Sequence, residues 1–391
     1  MKGGFLMIMR RAIKFPIHPT PSQETLIQKT FGCTRFIWNQ MLSDEQRVYN
    51  ETGKHFTPTP ASYKKQFPFL KEVDSLALAN VQMNQNQAFP RFFKNPGKFG
   101  HPDFKSKKKS KKSYTTNCLK NKSGKTIFLT KNGIRLPKLG VVKATLYRFP
   151  NCQWILKSAT ISQTKSGRYF CSLLYKFEMP TPDEIFPTEE NTVGLDYSSP
   201  LFYVDNNGYS PKKLRYFRNS EEKLAKLQHS LSRMKQGSKN YFKLLHKISR
   251  LHEHIANQRK DFAHKESRRI ANAYGAVCVE DIDLKAIAQS LKLGKSTMDN
   301  GFGMFRTFLG YKLAEQGKHL IYIDRWYPSS KTCCFCGSYN KSLKLGEDKW
   351  ACPHCGKIVP RDKGAALNIK REGLRQFYTE GPAIKSAEKV S

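Results

Sequence analysis

The chain has 391 residues, with 68 Lys and Arg against 31 Asp and Glu and a net charge of +37. That length accommodates two or three domains with cores of their own, and so large a positive surplus calls for a polyanion, first of all nucleic acid, whose condensed counterions are released when phosphates are neutralised. A membrane partner is the weaker reading, because no run of about 18 apolar residues occurs and the largest basic cluster is flanked by polar residues rather than by an amphipathic helix. The opening MKGGFLMIMRRAIKF has its basic residues after the apolar ones and lacks a small-residue cleavage site, so it does not read as a signal peptide.

Residues 11–17 (RAIKFPI) predict a strand, with Pro16 placing it at an edge or a bulge. Thr20-Pro21-Ser22-Gln23 is a capping box with proline at the first helical position. Ile27, Phe31, Trp38 and Met41 then recur at helical intervals and define an apolar face. A second helical segment, roughly 76–93, carries Asn80, Gln82, Asn84, Gln85, Asn86 and Gln87. These amides read either as a solvated face or as base-edge readers, since Asn and Gln pair bidentately with adenine. Residues 105–112 (KSKKKSKK) hold six lysines, with Phe99, Phe104 and Tyr114 nearby. The run is a solvated loop or a segment tracking phosphates. The candidate nucleic-acid contacts are therefore Asn80, Asn84, Gln87, Lys107, Lys108 and Lys109, joined by Arg325 near the C-terminal third.

From 126 to 176 short alternating runs separated by Gly, Asn and Ser predict an antiparallel barrel or sandwich. The stretch 180–190 is rich in proline and acids and suits a linker. Beyond it, TVGLD (192–196) reads as a buried strand ending in an acid, continued by 201–204 and a hairpin turn at Asp205-Asn206-Asn207-Gly208. Two amphipathic helices follow, broken at Gly237-Ser238. Residues 211–260 contain 14 Lys and Arg against three Glu, so their outer face suits a phosphate backbone. AVCVE (276–280) and HLIYID (319–324) are two more buried strands, and Ala366, Ile369, Gly373 and Phe377 mark one face of a last helix. The tail after Tyr378 reads as disordered.

The most specific motif lies between them. Cys333 and Cys336, then Cys352 and Cys355, form two C-x-x-C knuckles 15 residues apart. This is the spacing of a tetrahedral four-thiolate zinc site, in which no open position is left for catalysis. Cys334 stands inside the first knuckle as a competing ligand, while Cys33, Cys118, Cys152, Cys171 and Cys278 read as filler in a protein of a reducing cytosol. Three carboxylates also stand at element ends: Asp196, Glu280 and Asp362, each more than 80 residues from the next. Oxygen ligands of this kind hold Mg²⁺ or Mn²⁺, and two such ions hydrolyse phosphodiesters. Taken singly each acid reads as a loop or capping residue, and spacing alone does not exclude Asp281, Asp283 or Asp324.

Along nearly its whole length the sequence resembles the TnpB family, transposon-encoded RNA-guided DNA nucleases related to type V CRISPR effectors. The resemblance runs through KFPIHPTPSQ and RFIWNQML, AFPRFFKNPGKFGHPDFKSKKK, VGLDYSSPLFYVD, KQGSKNYFKLLHKISRLHEHIANQRKDFAHK, VCVEDIDL, YPSSKTCCFCG and RDKGAALNIKREGL. It implies a multidomain α+β and α/β protein: a wedge-type β-barrel (1–18 and 111–180) with an inserted helical recognition domain (19–110), a linker (181–190), a RuvC, ribonuclease-H-like nuclease domain (191–326 and 358–378) interrupted by a zinc ribbon (327–357), and a disordered tail (379–391). The family's catalytic and magnesium-holding triad matches Asp196 in GLD, Glu280 in VED and Asp362 in RD.

The implied activity is guided endonuclease cleavage of target DNA beside a short motif, with a guide RNA from the transposon end and one protein monomer per guide, in the prokaryotic cytosol at the nucleoid. The alternative is an RNA-guided DNA-binding regulator with little cleavage. A transposase that moves DNA itself fits poorly, because His252-Glu253-His254 lacks the hydrophobic residue expected between the histidines of single-strand transposases. The sequence departs from the family at Val359-Pro360, where a His-Asp pair is common, at Gly364, where Asn is frequent, and at Phe302, where Trp is frequent.

Overall fold

The computed structural model describes residues 6–121, 124–212, 216–284, 286, 301–344 and 346–381. The chain divides into two units, Met1–Pro180 and Thr181–Ser391. In the first, strand β1 (Leu6–His18) leads into helix α1 (Pro21–Thr52), two short 3-10 turns and helix α2 (Ser75–Lys94). Strands β2 (Lys112–Asn117), β3 (Lys120–Asn121), β4 (Gly124–Lys125), β5 (Phe128–Thr130), β6 (Gly133–Leu136), β7 (Gly140–Ala144), β8 (Ile155–Gln163) and β9 (Tyr169–Pro180) follow. Seven of these strands form one antiparallel sheet in the order β2-β8-β9-β1-β7-β6-β5, with β3 and β4 as a separate ribbon.

The capping box at Thr20 forms as predicted: its hydroxyl accepts from the Gln23 N–H while the Gln23 side chain accepts from the Thr20 N–H. Ile27 and Phe31 of α1 pack into the sheet core with Phe15, Ile134 and Leu173. Ile37, Trp38 and Met41, one to three turns further on, pack against Leu78 and Val81 of α2 in a second core.

Pro16 is not at an edge. It pairs with Phe170 inside the long β1–β9 ladder. Its carbonyl accepts from Thr145 on the opposite side of the strand, so the missing N–H faces away from β9 and removes no rung of that ladder.

The second unit contains β10 (Thr192–Ser198), β11 (Phe202–Asp205), α3 (Tyr216–Ser232), α4 (Lys239–Ala273), β12 (Ala276–Glu280), α5 (Phe302–Ala314), β13 (His319–Ile323), a ribbon of β14 (Lys349–Ala351) and β15 (Ile358–Pro360), and α6 (Arg361–Glu380). Its main sheet runs β11-β10-β12-β13. The last three of these are parallel to one another, and β11 is antiparallel to β10.

Alternation assigns the two faces of this sheet. Val193, Leu195, Val277 and Val279 pack with Phe305 and Leu309 of α5 and with Ala263 and Ile270 of α4. Ala276, Cys278, Ile321 and Ile323 pack with Ile369 and Phe377 of α6 on the other side. Phe302, at the start of α5, fills the first of these cores beside Tyr197 and Phe202.

Several boundaries differ from expectation. Residues 181–190 form no helix or strand but belong to the second unit and are tied into it: Ile185 N–H donates to the Gly317 carbonyl, Lys370 pairs with Glu189 at 3.1 Å, and the Tyr378 hydroxyl donates to the Pro187 carbonyl. Glu189, one of the acids that suggested a solvated linker, is the partner of a lysine of that unit, and Glu184 lies beside His319. The turn at 205–208 closes after β11, with the Asp205 carboxylate accepting from the Asn207 and Tyr209 N–H groups, whereas the hairpin joining β10 to β11 turns at 199–201. The ribbon extends to Pro360, which pairs with Lys349, rather than ending at 357. Helix α6 continues through Glu380, so Thr379 and Glu380 are helical, and the remainder of the expected tail, 382–391, lies outside the described residues. Cys152 is exposed, unlike the other cysteines read as filler.

Candidate functional site

The three carboxylates are brought together by strand alternation and by one close helix approach. On β10, Gly194 and Asp196 share the face opposite Val193 and Leu195. On β12, Ala276, Cys278 and Glu280 do the same opposite Val277 and Val279. Leu195 is level with Val279, which puts Asp196 and Glu280 one position further along at the carboxyl ends of neighbouring parallel strands.

Helix α6 lies over that face because small residues admit it. A Cβ on Gly194 would stand 2.0 Å from the Ala366 carbonyl oxygen, and one on Gly373 would stand 2.3 Å from the Cys278 sulfur. The helix therefore runs antiparallel to the strands, with Asp362 in its first turn at their carboxyl ends. There the helix dipole favours a negative charge.

The resulting electrostatics are dominated by burial, with Asp196 at the centre. Asp196 is held well above the ordinary carboxylate range, first by burial and then by the charges of Glu280 and Asp362, with Arg361 opposing. Burial raises Glu280 against a hydrogen bond from Ser329, and raises Asp362 against Arg361. All three remain half-buried, with part of each residue open to solvent. Such a cluster is suited to a cation that compensates the charge and leaves room for a substrate.

The carboxylates have a supporting frame that was not evident from sequence. The Ser329 hydroxyl donates to Glu280 Oε1 at 2.5 Å. Arg306 of α5 donates to the carbonyls of Glu280 and Ile282 at 3.2 and 3.3 Å, fixing the chain as it leaves β12. Asn368 of α6, buried, donates to the carbonyls of Ser329 and Thr332 at 2.8 and 2.7 Å. Ser329 lies within the PSSKTC stretch noted in the sequence; nothing in the pattern singled out Arg306 or Asn368. Arg325 donates to Asp281 at 3.3 Å, and the Asp324 carboxylate accepts from the Trp326 N–H, so these neighbouring acids are engaged in the loop.

The thiolates also meet. The sulfurs of Cys333, Cys336, Cys352 and Cys355 all lie within 4.8 Å of one another, with Cys333 to Cys355 at 3.7 Å and Cys336 to Cys352 at 3.6 Å. A tetrahedral zinc with bonds of about 2.3 Å requires sulfur separations of about 3.8 Å, so the set fits that ion. Each knuckle closes on a glycine with positive φ, Gly337 at 77° and Gly356 at 71°, which donates back to the first cysteine's carbonyl.

Cys334 is not part of the set. It is buried towards α6, its carbonyl accepts from Arg371, and its sulfur would lie 3.4 Å from a Cβ on Gly364. Val359 Cγ1 would be 3.0 Å from the same Cβ, so Val359 and Cys334 occupy the space that a side chain at 364 would need.

In the first unit, Asn80, Asn84 and Lys107 line one cavity of about 390 Å³ with Arg35, Lys111 and Ser113. Gln87, Lys108 and Lys109 are exposed and are not among its lining residues; Gln87 accepts from Arg91. Gln85, from the same amide-rich segment, is buried and donates to the Trp38 carbonyl, a structural role. The lysine run is anchored at its start, where Asn39 holds both backbone groups of Lys105 and the ammonium lies 3.5 Å from the Trp38 ring centroid. Burial pulls that ammonium down to about 8.

The mixed α/β fold, which carries a zinc-ribbon-like cluster of four cysteines, resembles that of Cas12f1. A Cas12f1 solved with its single guide RNA and target DNA superposes with a TM-score of 0.57 over 93% of this chain and 99% of its own, at 13% identity, which is a likeness of fold. Family models match at residues 302–369 (Cas12f1-like, TNB domain), 173–291 (OrfB of IS605, "Probable transposase") and 7–54 (OrfB of IS605, helix-turn-helix domain). Within 7–54 the structure has a strand and one uninterrupted 32-residue helix rather than two helices joined by a turn.

A Streptomyces pristinaespiralis protein named as a candidate RNA-guided DNA endonuclease is 31% identical over 379 residues, covering 94% of this chain and 90% of its own length. InsQ of Escherichia coli K12, named in the same way, is 27% identical over 386 residues, covering 93% and 92%. The mimivirus TnpB-like protein L79 is 27% identical over 218 residues, 51% of this chain and 41% of its own. The chain belongs to the TnpB family. Among the described residues no helix is long and apolar enough to cross a membrane.

Proposed function

We propose that this protein is a transposon-encoded RNA-guided DNA endonuclease that cuts target DNA beside a short motif, with Asp196, Glu280 and Asp362 holding Mg²⁺ or Mn²⁺. The observation that carries this reading is the convergence of those three acids on one face, Asp196 feeling the charge of both others. When bound, a pair of such ions activates water and stabilises the leaving oxygen of a phosphodiester. The chain's own part is to hold the carboxylates in place: α6 brings Asp362 over the strand ends, Ser329 orients one oxygen of Glu280, and Arg361 partly offsets the upward shift that burial imposes on Asp196 and Asp362.

In this reading the second unit is a RuvC, ribonuclease-H-like nuclease domain and the antiparallel sheet of the first is the wedge barrel, with α1 and α2 as the recognition insert. Base pairing with a guide RNA from the transposon end supplies most of the sequence specificity. Asn80 and Asn84 read the adjacent motif from the cavity they share with Lys107, while Arg325 and the basic surface of α3 and α4 follow phosphates. The zinc ribbon braces the site and takes no part in the chemistry, because four thiolates fill the ion's coordination. One monomer acts per guide, at the prokaryotic nucleoid.

The intact set of three acids favours the nuclease over the regulator, and the departures at Val359 and Gly364 pack against each other without removing any of them. The deciding experiment is guided plasmid cleavage by Asp196→Ala and Glu280→Ala proteins purified with their RNA. Losses beyond the roughly 10–100-fold typical of an outer supporting residue are expected. A wild-type rate in either variant sinks the assignment.

A further inference from the structure

We infer that Ser329 and Asn368 are positioning residues that fasten the zinc ribbon to Glu280, so that the ribbon helps set the divalent-metal affinity of the carboxylate site. The inference rests on the nuclease reading above and extends it to groups that touch neither substrate nor ion.

A buried serine beside a helical turn can direct its hydroxyl to a backbone carbonyl of its own turn, as Ser267 does to Ala263 at 2.5 Å. Ser329, also buried, spends its single proton on Glu280 Oε1 instead. That bond fixes the carboxylate's orientation while leaving Oε2 and a remaining lone pair on Oε1 available for a cation.

The position of Ser329 is set in turn by Asn368. Both N–H bonds of that buried amide go to one loop, at the carbonyls of Ser329 and Thr332. Thr332 immediately precedes the zinc-type ligand Cys333 and bridges to Tyr339 within the first knuckle. Pro328 closes the same loop by accepting from the Lys331 and Thr332 N–H groups. Asn368 stands on α6, the helix that also carries Asp362. One side chain thus ties the first knuckle, the Ser329 loop and the helix of the third acid together, and the Ser329 hydroxyl passes that constraint to the second acid. The side-chain donors of both residues are directed into this connection, which a purely space-filling role would not require.

The test uses the zinc-loaded full chain, freed of nucleic acid for calorimetric titration with Mn²⁺ and reconstituted with its RNA for single-turnover cleavage. Ser329→Ala is expected to lower Mn²⁺ affinity and cleavage rate each by about 10–100-fold, while zinc content and affinity for guided target DNA stay at wild-type values. Wild-type Mn²⁺ affinity in Ser329→Ala overturns the inference. Asn368→Ala, combined with Ser329→Ala, separates a connected path from independent support. Losses that do not add indicate that Asn368 acts through Ser329, and fully additive losses overturn that route. Glu280→Gln distinguishes the two levels of argument. If it binds Mn²⁺ as the wild type does, the nuclease-site reading fails; if it loses Mn²⁺ and Ser329→Ala does not, only the positioning role fails.

Discussion

The thiolate cluster and the carboxylate cluster lie close in the chain at one point, Cys355 and Asp362, yet they are assembled in opposite ways. The thiolates come from two tight turns within 23 residues, each closed by its own glycine, so local backbone geometry does nearly all the work. The carboxylates come from two strands and a helix spread over more than 160 residues, and meet only because α6 can approach the sheet at Gly194 and Gly373. A site of the first kind can be disturbed by changing one ligand. A site of the second kind can also be disturbed from a distance, by anything that shifts the helix, and the ribbon packed against the first turn of α6 is well placed to do so.

Breaking the ribbon is expected to have the largest effect. Cys352→Ser should lose the ion, measured as zinc per chain by mass spectrometry, and with it both thermal stability and guided cleavage; unchanged zinc content would contradict the ligand set. Metal binding of this type is itself folding energy, so a loss of several degrees in Tm should accompany it.

A smaller effect sharpens the contrast at the junction of the two clusters. Gly364→Asn restores the residue frequent in the family but drives a side chain into Val359 and Cys334. Overpacking of this kind costs about 1–3 kcal/mol. Thermal or urea denaturation should show that loss, and Val359→Ala in the same chain should recover part of it. A fully stable Gly364→Asn protein would show that the ribbon yields to α6 without cost.

The smallest expected effect concerns a half-buried charge of opposite sign. Lys105 is held at about 8 by burial, below its ordinary 10.5, although the Trp38 ring offsets part of the penalty. Between those values the unfolded chain binds more protons than the folded one, so stability should rise as pH rises from about 8 to about 10.5. After allowance for solvent screening the gain is at most about 1–2 kcal/mol. Comparing Tm against pH for wild type and Lys105→Met isolates it, and identical slopes would show that the ammonium is not desolvated.

Much of the local architecture was legible before any fold was known. The capping box at Thr20, the apolar face of α1, the Gly237-Ser238 break where Ser238 caps α4, and the two knuckles all depend on residues close in sequence, for which backbone preference and side-chain spacing suffice. The three acids could be suspected as strand-end and helix-start residues and were singled out by resemblance to a family, but spacing alone left Asp281, Asp283 and Asp324 as rivals. Tertiary structure decided the rest. Strand register put Asp196 beside Glu280, two close-approach glycines let α6 bring in Asp362, and long-range hydrogen bonds recruited Ser329, Arg306 and Asn368. The same applies to Asn80, Asn84 and Lys107, which share a cavity while Gln87, Lys108 and Lys109 do not line it. Periodicity tells which side of an element a residue occupies; which other element that side meets is set by packing and register across the whole chain.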